Sequence, residues 1–206
     1  MVKSIALFGT SADPPTTGHE KILEELSKIY AFTIWYVSNN PNKKHKEDII
    51  IRSQLLKTLI EDLSDHKILF NQAVSSKWAV ESIKKCKKIY EFDNLDFVIG
   101  SDLIQDIFSW KNFDKIIKEV SFFIIIREGY PVESNTLKML ETHKVKFKIS
   151  TIKIPNISSS KFRSKFNYSN LPTSLIDFVK KNNLYESTKL VEWSFYLLKL
   201  IQLLEI

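Results

Sequence analysis

The first residues in this chain that could do chemistry are Asp13-Pro14-Pro15-Thr16-Thr17-Gly18-His19, inside the stretch IALFGTSADPPTTGHEKIL. An apolar, strand-like run stops at Gly9, turn residues follow, and helical spacing begins at Gly18. The first N–H groups of a helix have no partner within it and sit at the positive end of its dipole, so they attract anions. Thr16 and Thr17 are residue types that cap such a helix or offer hydroxyls to a phosphate. His19 falls in the first turn, within reach of an anion held there. A lone histidine is more often structural or simply exposed; its place after a glycine at a helix start favours the functional reading. The implied chemistry is the binding of a phosphate or another polyanion.

Such a loop needs a strand before it and a helix after it, and the wider chain supplies both repeatedly. Apolar β-rich runs lie at 4–8, 32–38, 67–70, 95–99, 120–126 and 146–152. Helical spacing lies between them at 18–29, 49–63, 77–89, 112–118 and 134–142. This alternation predicts an α/β fold: a Rossmann-like open parallel sheet with helices on both faces. The runs at 95–99 and 120–126 are nearly all apolar, as strands buried on both faces should be. After residue 155 the strands stop, and serines in NISSSKF offer caps for a short helix. LPTSLIDFVKKNNLYE reads as a further helix starting near Pro172. A last amphipathic segment, 188–205, packs on its own domain or forms a subunit contact. The division expected is a main domain at 1–187, helical from about 157, and an extension at 188–206.

Composition narrows the setting. The 206 residues are 44% hydrophobic and 26% charged, as in ordinary globular domains. The single cysteine, Cys86, forbids an intramolecular disulfide and a cysteine-based metal site, which fits a cytoplasmic protein. No run of about 18 uncharged apolar residues predicts a membrane span, and the N-terminus reads as a strand rather than a signal peptide. The net charge of +6 fits either a lysine-rich solvated surface or a polyanionic partner.

Glycine is scarce: Gly9, Gly18, Gly100 and Gly129 are the only four. Gly9 and Gly100 directly follow predicted strands, Gly129 trails one, and Gly18 opens a helix. In open α/β sheets ligands bind beyond the carboxyl ends of strands, so these glycines mark a candidate edge, with Gly9 expected to admit a ligand close to the backbone. The familiar GxxxxGK[S/T] and GxGxxG phosphate loops are absent.

GTSADPPTTGH resembles the first signature of the nucleotidyltransferase superfamily, G-x-F-D-P-x-[H/T]-x-G-H. ISSSKFRS, at 157–164, resembles its second, I-S-S-T-x-I-R. Within the superfamily the likeness is to bacterial nicotinate-mononucleotide adenylyltransferases. FVIGSDLIQDIFSWKNFDKII resembles their GxD…W segment, NNPNKKHK their PxxxPHK loop, IIIREGY their RPGY strand end and FVKKNNLY their closing helix; KWAVESI resembles SYTVDTL more weakly. The resemblance covers roughly 3–187. The chain departs from the pattern at Ala12 (usually Phe), Thr16 (often His), Ser160, Glu128 (usually Pro) and Lys77-Trp78-Ala79.

The resemblance implies joining of a pyridine mononucleotide to ATP, releasing pyrophosphate, in NAD biosynthesis. The nucleophile is a phosphate oxygen already anionic at neutral pH, so positioning and charge stabilisation carry the rate. By resemblance, His19, Thr16 and Arg163 are the catalytic candidates. ATP falls to Gly9, Thr10, Gly18, His19, Gly100, Asp102, Ser158, Ser159 and Arg163, and the mononucleotide to Lys43, Lys44, His45, Lys46, Trp78, Trp110 and Arg127. Arginine suits bidentate phosphate contact, and Trp110 offers a face for the pyridine ring, unless it is plain core. Mg²⁺ is expected to arrive with ATP, with no metal held by a protein cage. Partners other than substrate are not implied, a homo-oligomer apart. A sister pantetheine-phosphate adenylyltransferase or cytidylyltransferase is the nearest rival. A basic nucleic-acid-binding module is the rival of another class; it predicts basic residues interleaved with exposed aromatics.

Overall fold

The computed structural model describes residues 3–41, 43–152, 154 and 157–185. The expected helix at 188–205 and the extension around it lie outside these residues. Six parallel strands form one sheet: β1 (Ser4–Thr10), β2 (Phe32–Val37), β3 (Ile68–Phe70), β4 (Asn94–Gly100), β5 (Ser121–Ile125) and β6 (Phe147–Ile149), in the order β3-β2-β1-β4-β5-β6. The helices are α1 (Thr17–Ile29), α2 (Ile49–Leu63), α3 (Ala79–Ile89), α4 (Phe113–Glu119), α5 (Ser134–Thr142), α6 (Ser159–Lys165) and α7 (Thr173–Lys181). No helix among the described residues is long and apolar enough to cross a membrane.

Period-two alternation sends β1 side chains to two separate cores. Ile5 and Leu7 join Ile34, Ile83, Phe97, Ile116 and Phe122 on one face. Ala6 joins Leu23, Leu26, Leu55, Leu59, Phe123, Phe162 and Leu175 on the other. Burial of the strands on both sides accounts for their continuously apolar runs. Cys86 lies in the first of these cores, where burial pushes its thiol up to about 12, so it is inert.

Two strand ends differ from the sequence expectation in a way that matters. β1 runs on through Gly9 and Thr10, and β4 runs through Gly100, so Gly9 lies within its strand and Gly100 ends its strand instead of following it. β1 stays paired with β2 as far as Thr10↔Val37, whereas its pairing with β4 stops at Leu7↔Phe97. The carboxyl ends of β1 and β4 therefore part at the point where the strand order reverses, which is where open α/β sheets form their ligand crevice. The last strand is shorter than its apolar run suggested; β6 is an edge, paired only with β5 among the described residues.

Candidate functional site

The parting of β1 and β4 opens a cavity of about 510 Å³. One wall is the β1 end and the first turn of α1, with Thr10, Thr16, Gly18 and His19. Ser158, Ser159 and Arg163 of the α6 region, Lys43, Lys44 and His45 of the loop after β2, and Gly100, Asp102 and Arg127 of the β4–β5 side complete it. The two signature stretches, far apart in the chain, thus face one space. Ser11, Asp13, Tyr130 and Lys161 line it as well.

His19 is held by its own helix cap. Thr16 is the N-cap of α1, and its backbone N–H donates to His19 Nδ1 at 3.1 Å. In a capping box the third helical residue returns to the cap with a Glu or Gln side chain; here an imidazole does so. The Thr16 hydroxyl lies 2.9 Å from the same Nδ1 and is buried, so Thr16 orients the ring. A peptide N–H can only donate, which makes Nδ1 the acceptor and places the neutral ring's proton on Nε2. Nε2 lies 2.8 Å from Thr10 Oγ1. Burial, with the charge of Arg127 second, pulls His19 down to about 4. At neutral pH the ring is an uncharged Nε2–H donor.

Asp13 knits three segments together. Its carboxylate is almost fully buried and accepts the backbone N–H groups of Lys46 (2.8 Å) and Glu47 (3.2 Å). Arg163 Nη1 lies 3.4 Å from Oδ2 and also donates to the Asp13 carbonyl. His45 Nδ1 is 3.8 Å from Oδ2; burial first, then the charge of Arg52, lowers His45, with Asp13 opposing. Ser159 adds a bond from its hydroxyl to the Pro14 carbonyl at 2.8 Å. Ser158 caps α6 by accepting from Lys161 N–H. Of the serines expected at phosphate, then, one caps a helix and the other ties the two signatures to each other.

Arg52 was not singled out from the sequence. It is buried on α2, and its guanidinium donates to the carbonyls of Ser11 (2.8 Å), Ser38 (3.3 Å), Glu47 (3.1 Å) and Asp48 (3.3 Å). It fixes the loops after β1 and β2 against the start of α2. The available signal was a charge on the same helical stripe as Leu55, Leu56 and Leu59.

On the β4–β5 side Arg127 Nη1 pairs with Asp102 Oδ2 at 2.8 Å, and both side chains keep some exposure. Ser101 accepts the Arg127 N–H and donates to the Tyr130 carbonyl, which fixes the turn after β5. At Gly100 a Cβ would stand 2.2 Å from Asp102 Oδ1, so a larger residue there would displace that carboxylate. Gly9 has a further reason: its missing side chain makes room for the Tyr36 ring, 2.5 Å from where a Cβ would be. Gly9 still lines the cavity with its backbone.

The remaining sequence candidates lie further out. Lys46 serves Asp13 through its backbone and is not among the lining residues. Trp110 packs edge-on against Phe97, centroids 5.9 Å apart, and against Phe122. Trp78 caps α3 beneath the ammonium groups of Lys77 and Lys111, each 5.1 Å from its ring centre. Neither tryptophan lines the cavity. No cluster of three or more His, Cys, Asp or Glu side chains suited to a metal occurs among the described residues.

Known proteins are similar to this chain. The nicotinate-nucleotide adenylyltransferase of Bacillus subtilis (strain 168) is 27% identical, spanning 90% of this chain and 100% of its own. The structure of Plasmodium falciparum nicotinic acid mononucleotide adenylyltransferase complexed with NaAD superposes with a TM-score of 0.74 at 28% identity, covering 89% of this chain and 97% of that one. The same protein complexed with APC gives 0.72 at 26% identity, with the same coverage. The family described as cytidylyltransferase-like matches from Leu7 in β1 to Lys165 at the end of α6, a span that includes both walls of the cavity, and the chain belongs to that family.

Proposed function

We propose that this chain is a nicotinate-nucleotide adenylyltransferase: it joins nicotinate mononucleotide to ATP, giving nicotinate adenine dinucleotide and pyrophosphate in NAD biosynthesis. The observation that carries the reading is the meeting of both signatures, through His19 and Arg163, in one cavity at the strand switch point. The Plasmodium falciparum relative, complexed with NaAD, matches along 89% of this chain.

In this reading an oxygen of the mononucleotide phosphate attacks the α-phosphorus of ATP, and the bond to the bridging oxygen breaks as pyrophosphate leaves. Phosphate is already anionic at neutral pH, so no base is required. What the site must supply is in-line positioning of two polyanions and donors for the charge that builds up. The wall formed by Thr10, His19 and Arg163 takes the ATP phosphates, with Ser158 behind it. Lys43, Lys44 and His45 take the mononucleotide phosphate. Trp110 lies outside the cavity lining but is only partly buried, so its free surface can stack on the pyridine ring where the mononucleotide extends past that lining. Arg127 sits close enough to lower His19, so it serves the shared phosphate region as well as the mononucleotide. Mg²⁺ enters as part of the ATP substrate: Asp13 is engaged by N–H groups and Arg163, and Asp102 by Arg127. The buried, inert single cysteine supports a cytoplasmic setting.

Pyrophosphate release from ATP with nicotinate mononucleotide, nicotinamide mononucleotide and 4′-phosphopantetheine as separate acceptors tests the reading. Fastest turnover with nicotinate mononucleotide is expected. Turnover with 4′-phosphopantetheine alone, or with CTP in place of ATP, would refute it.

A further inference from the structure

The hydrogen bonds around His19 assign its outward proton to a neighbouring residue. Nδ1 is occupied by the Thr16 N–H, so the proton of the neutral ring is on Nε2 and points at Thr10 Oγ1, 2.8 Å away. The Ala12 N–H donates to the same oxygen at 3.3 Å. Ala12 is brought there by a left-handed backbone (φ 44°), a conformation a non-glycine residue adopts at some cost and one that surrounding structure must enforce. A hydroxyl has two lone pairs and one proton. Both acceptor positions of Thr10 are filled, and its own proton has no acceptor among the described residues. Thr10 is 8% exposed, and the surface it retains faces the cavity.

We infer that Thr10 is a catalytic residue whose side-chain hydroxyl, polarised by His19 and by the Ala12 N–H, donates its proton in a hydrogen bond to a phosphoryl oxygen of the bound nucleotide. His19 thereby polarises Thr10 in addition to lining the same cavity itself. A hydroxyl that accepts two hydrogen bonds is a stronger donor, because successive bonds in a chain polarise one another. The β-branch of threonine limits its rotamers and keeps the hydroxyl aimed. No charged imidazole is needed for this contact. The inference rests on the adenylyl transfer proposed above.

The test compares Thr10→Val, which keeps the shape and removes the hydroxyl, with Thr10→Ser, which keeps the hydroxyl. In Thr10→Val kcat should fall about 10²-fold, as when one donor to a transition-state oxyanion is deleted, while KM for the mononucleotide changes little. Thr10→Ser should stay within severalfold of the parent. A near-parental kcat in Thr10→Val, or an equal loss in Thr10→Ser, would overturn the assignment. The ¹⁵N imidazole spectrum of the parent protein is a second measurement that requires no variant. It should show a neutral Nε2–H tautomer for His19 at pH 7, and an Nδ1–H tautomer or an imidazolium would overturn the assignment as well. If the parent binds ATP but forms no dinucleotide, the mononucleotide reading fails on its own. The hydroxyl is then judged by ATP affinity, which should weaken severalfold in Thr10→Val and be restored in Thr10→Ser; equal affinity in all three would refute it.

Discussion

Two aspartate–arginine pairs line the cavity, and they are built for different purposes. On the β1 side the Asp13 carboxylate keeps only 2% exposure and is surrounded by donors: the Lys46 and Glu47 N–H groups and Arg163. On the β4 side Asp102 and Arg127 keep 24% and 34% exposure and hold each other by one contact. A buried carboxylate that loses its partners is costly, whereas a partly solvated pair is replaced by water at little cost. The first pair is a fixed joint between the two signatures and the basic loop. The second is a pair that substrate groups can open. Glycine repeats the contrast. The space at Gly9 is filled by a core ring, and the space at Gly100 by the partly exposed carboxylate of Asp102.

The contrast can be broken or sharpened by substitution. The largest effect is expected from His19→Ala, which removes the ring that the β1 wall is organised around. Turnover should drop by about 10²–10³-fold while the melting temperature stays near that of the parent. Turnover within threefold of the parent would remove His19 from the mechanism.

Next comes the fixed joint. Asp13→Ala should destabilise the protein by about 3 kcal/mol, because it strands Arg163 and two N–H groups. The matching change on the open side, Asp102→Ala, should cost under about 1 kcal/mol and show mainly in KM. Chemical denaturation of both variants measures the gap, and equal losses would erase the proposed distinction. The glycine pair should follow the same order. A Cβ at Gly9 collides with the buried Tyr36 ring, so Gly9→Ala should cost about 1–3 kcal/mol of overpacking. At Gly100 the collision is with Asp102 and Arg127, which can swing aside. Gly100→Ala should leave stability almost unchanged and raise KM; a melting temperature lowered as far as in Gly9→Ala would contradict this.

A further effect is on pH. His19 is depressed to about 4 in the folded protein, against an ordinary value of 6.5, and His45 is lowered too. The unfolded chain therefore takes up these protons first as pH falls. Their contribution to stability is complete above about 6.5 and declines as pH drops toward 4. Urea midpoints at pH 7 and pH 4.5 should fall less in His19→Gln than in the parent, and an identical fall in both would exclude His19 as a source.

Much of this architecture was legible in the chain. The α1 start was readable because the cap at Thr16 and the residues that follow are local, and the structure places the N-cap there. Strand positions were readable from apolar runs; their ends were less so, since β1 continues to Thr10 only because β2 continues beside it. The packing role of Gly9 was not legible, because its filler, Tyr36, reaches it through strand register and not through sequence proximity. The Trp110 face looked free in the sequence, yet Phe97 and Phe122 from two strands cover part of it.

The sequence by itself determined the alternation of strands and helices, the helix that begins behind Thr16, and the presence of two signatures with phosphate-binding residue types. Each of these depends on spacing, capping and periodicity among near neighbours, and such interactions are written in order along the chain. Tertiary structure alone decided which groups meet: Arg163 on Asp13, Arg52 on Ser11, Tyr36 over Gly9, and the Thr10 hydroxyl between His19 and the cavity. Those pairings follow from strand order and register, which bring together residues as distant as Asp13 and Arg163, 150 positions apart.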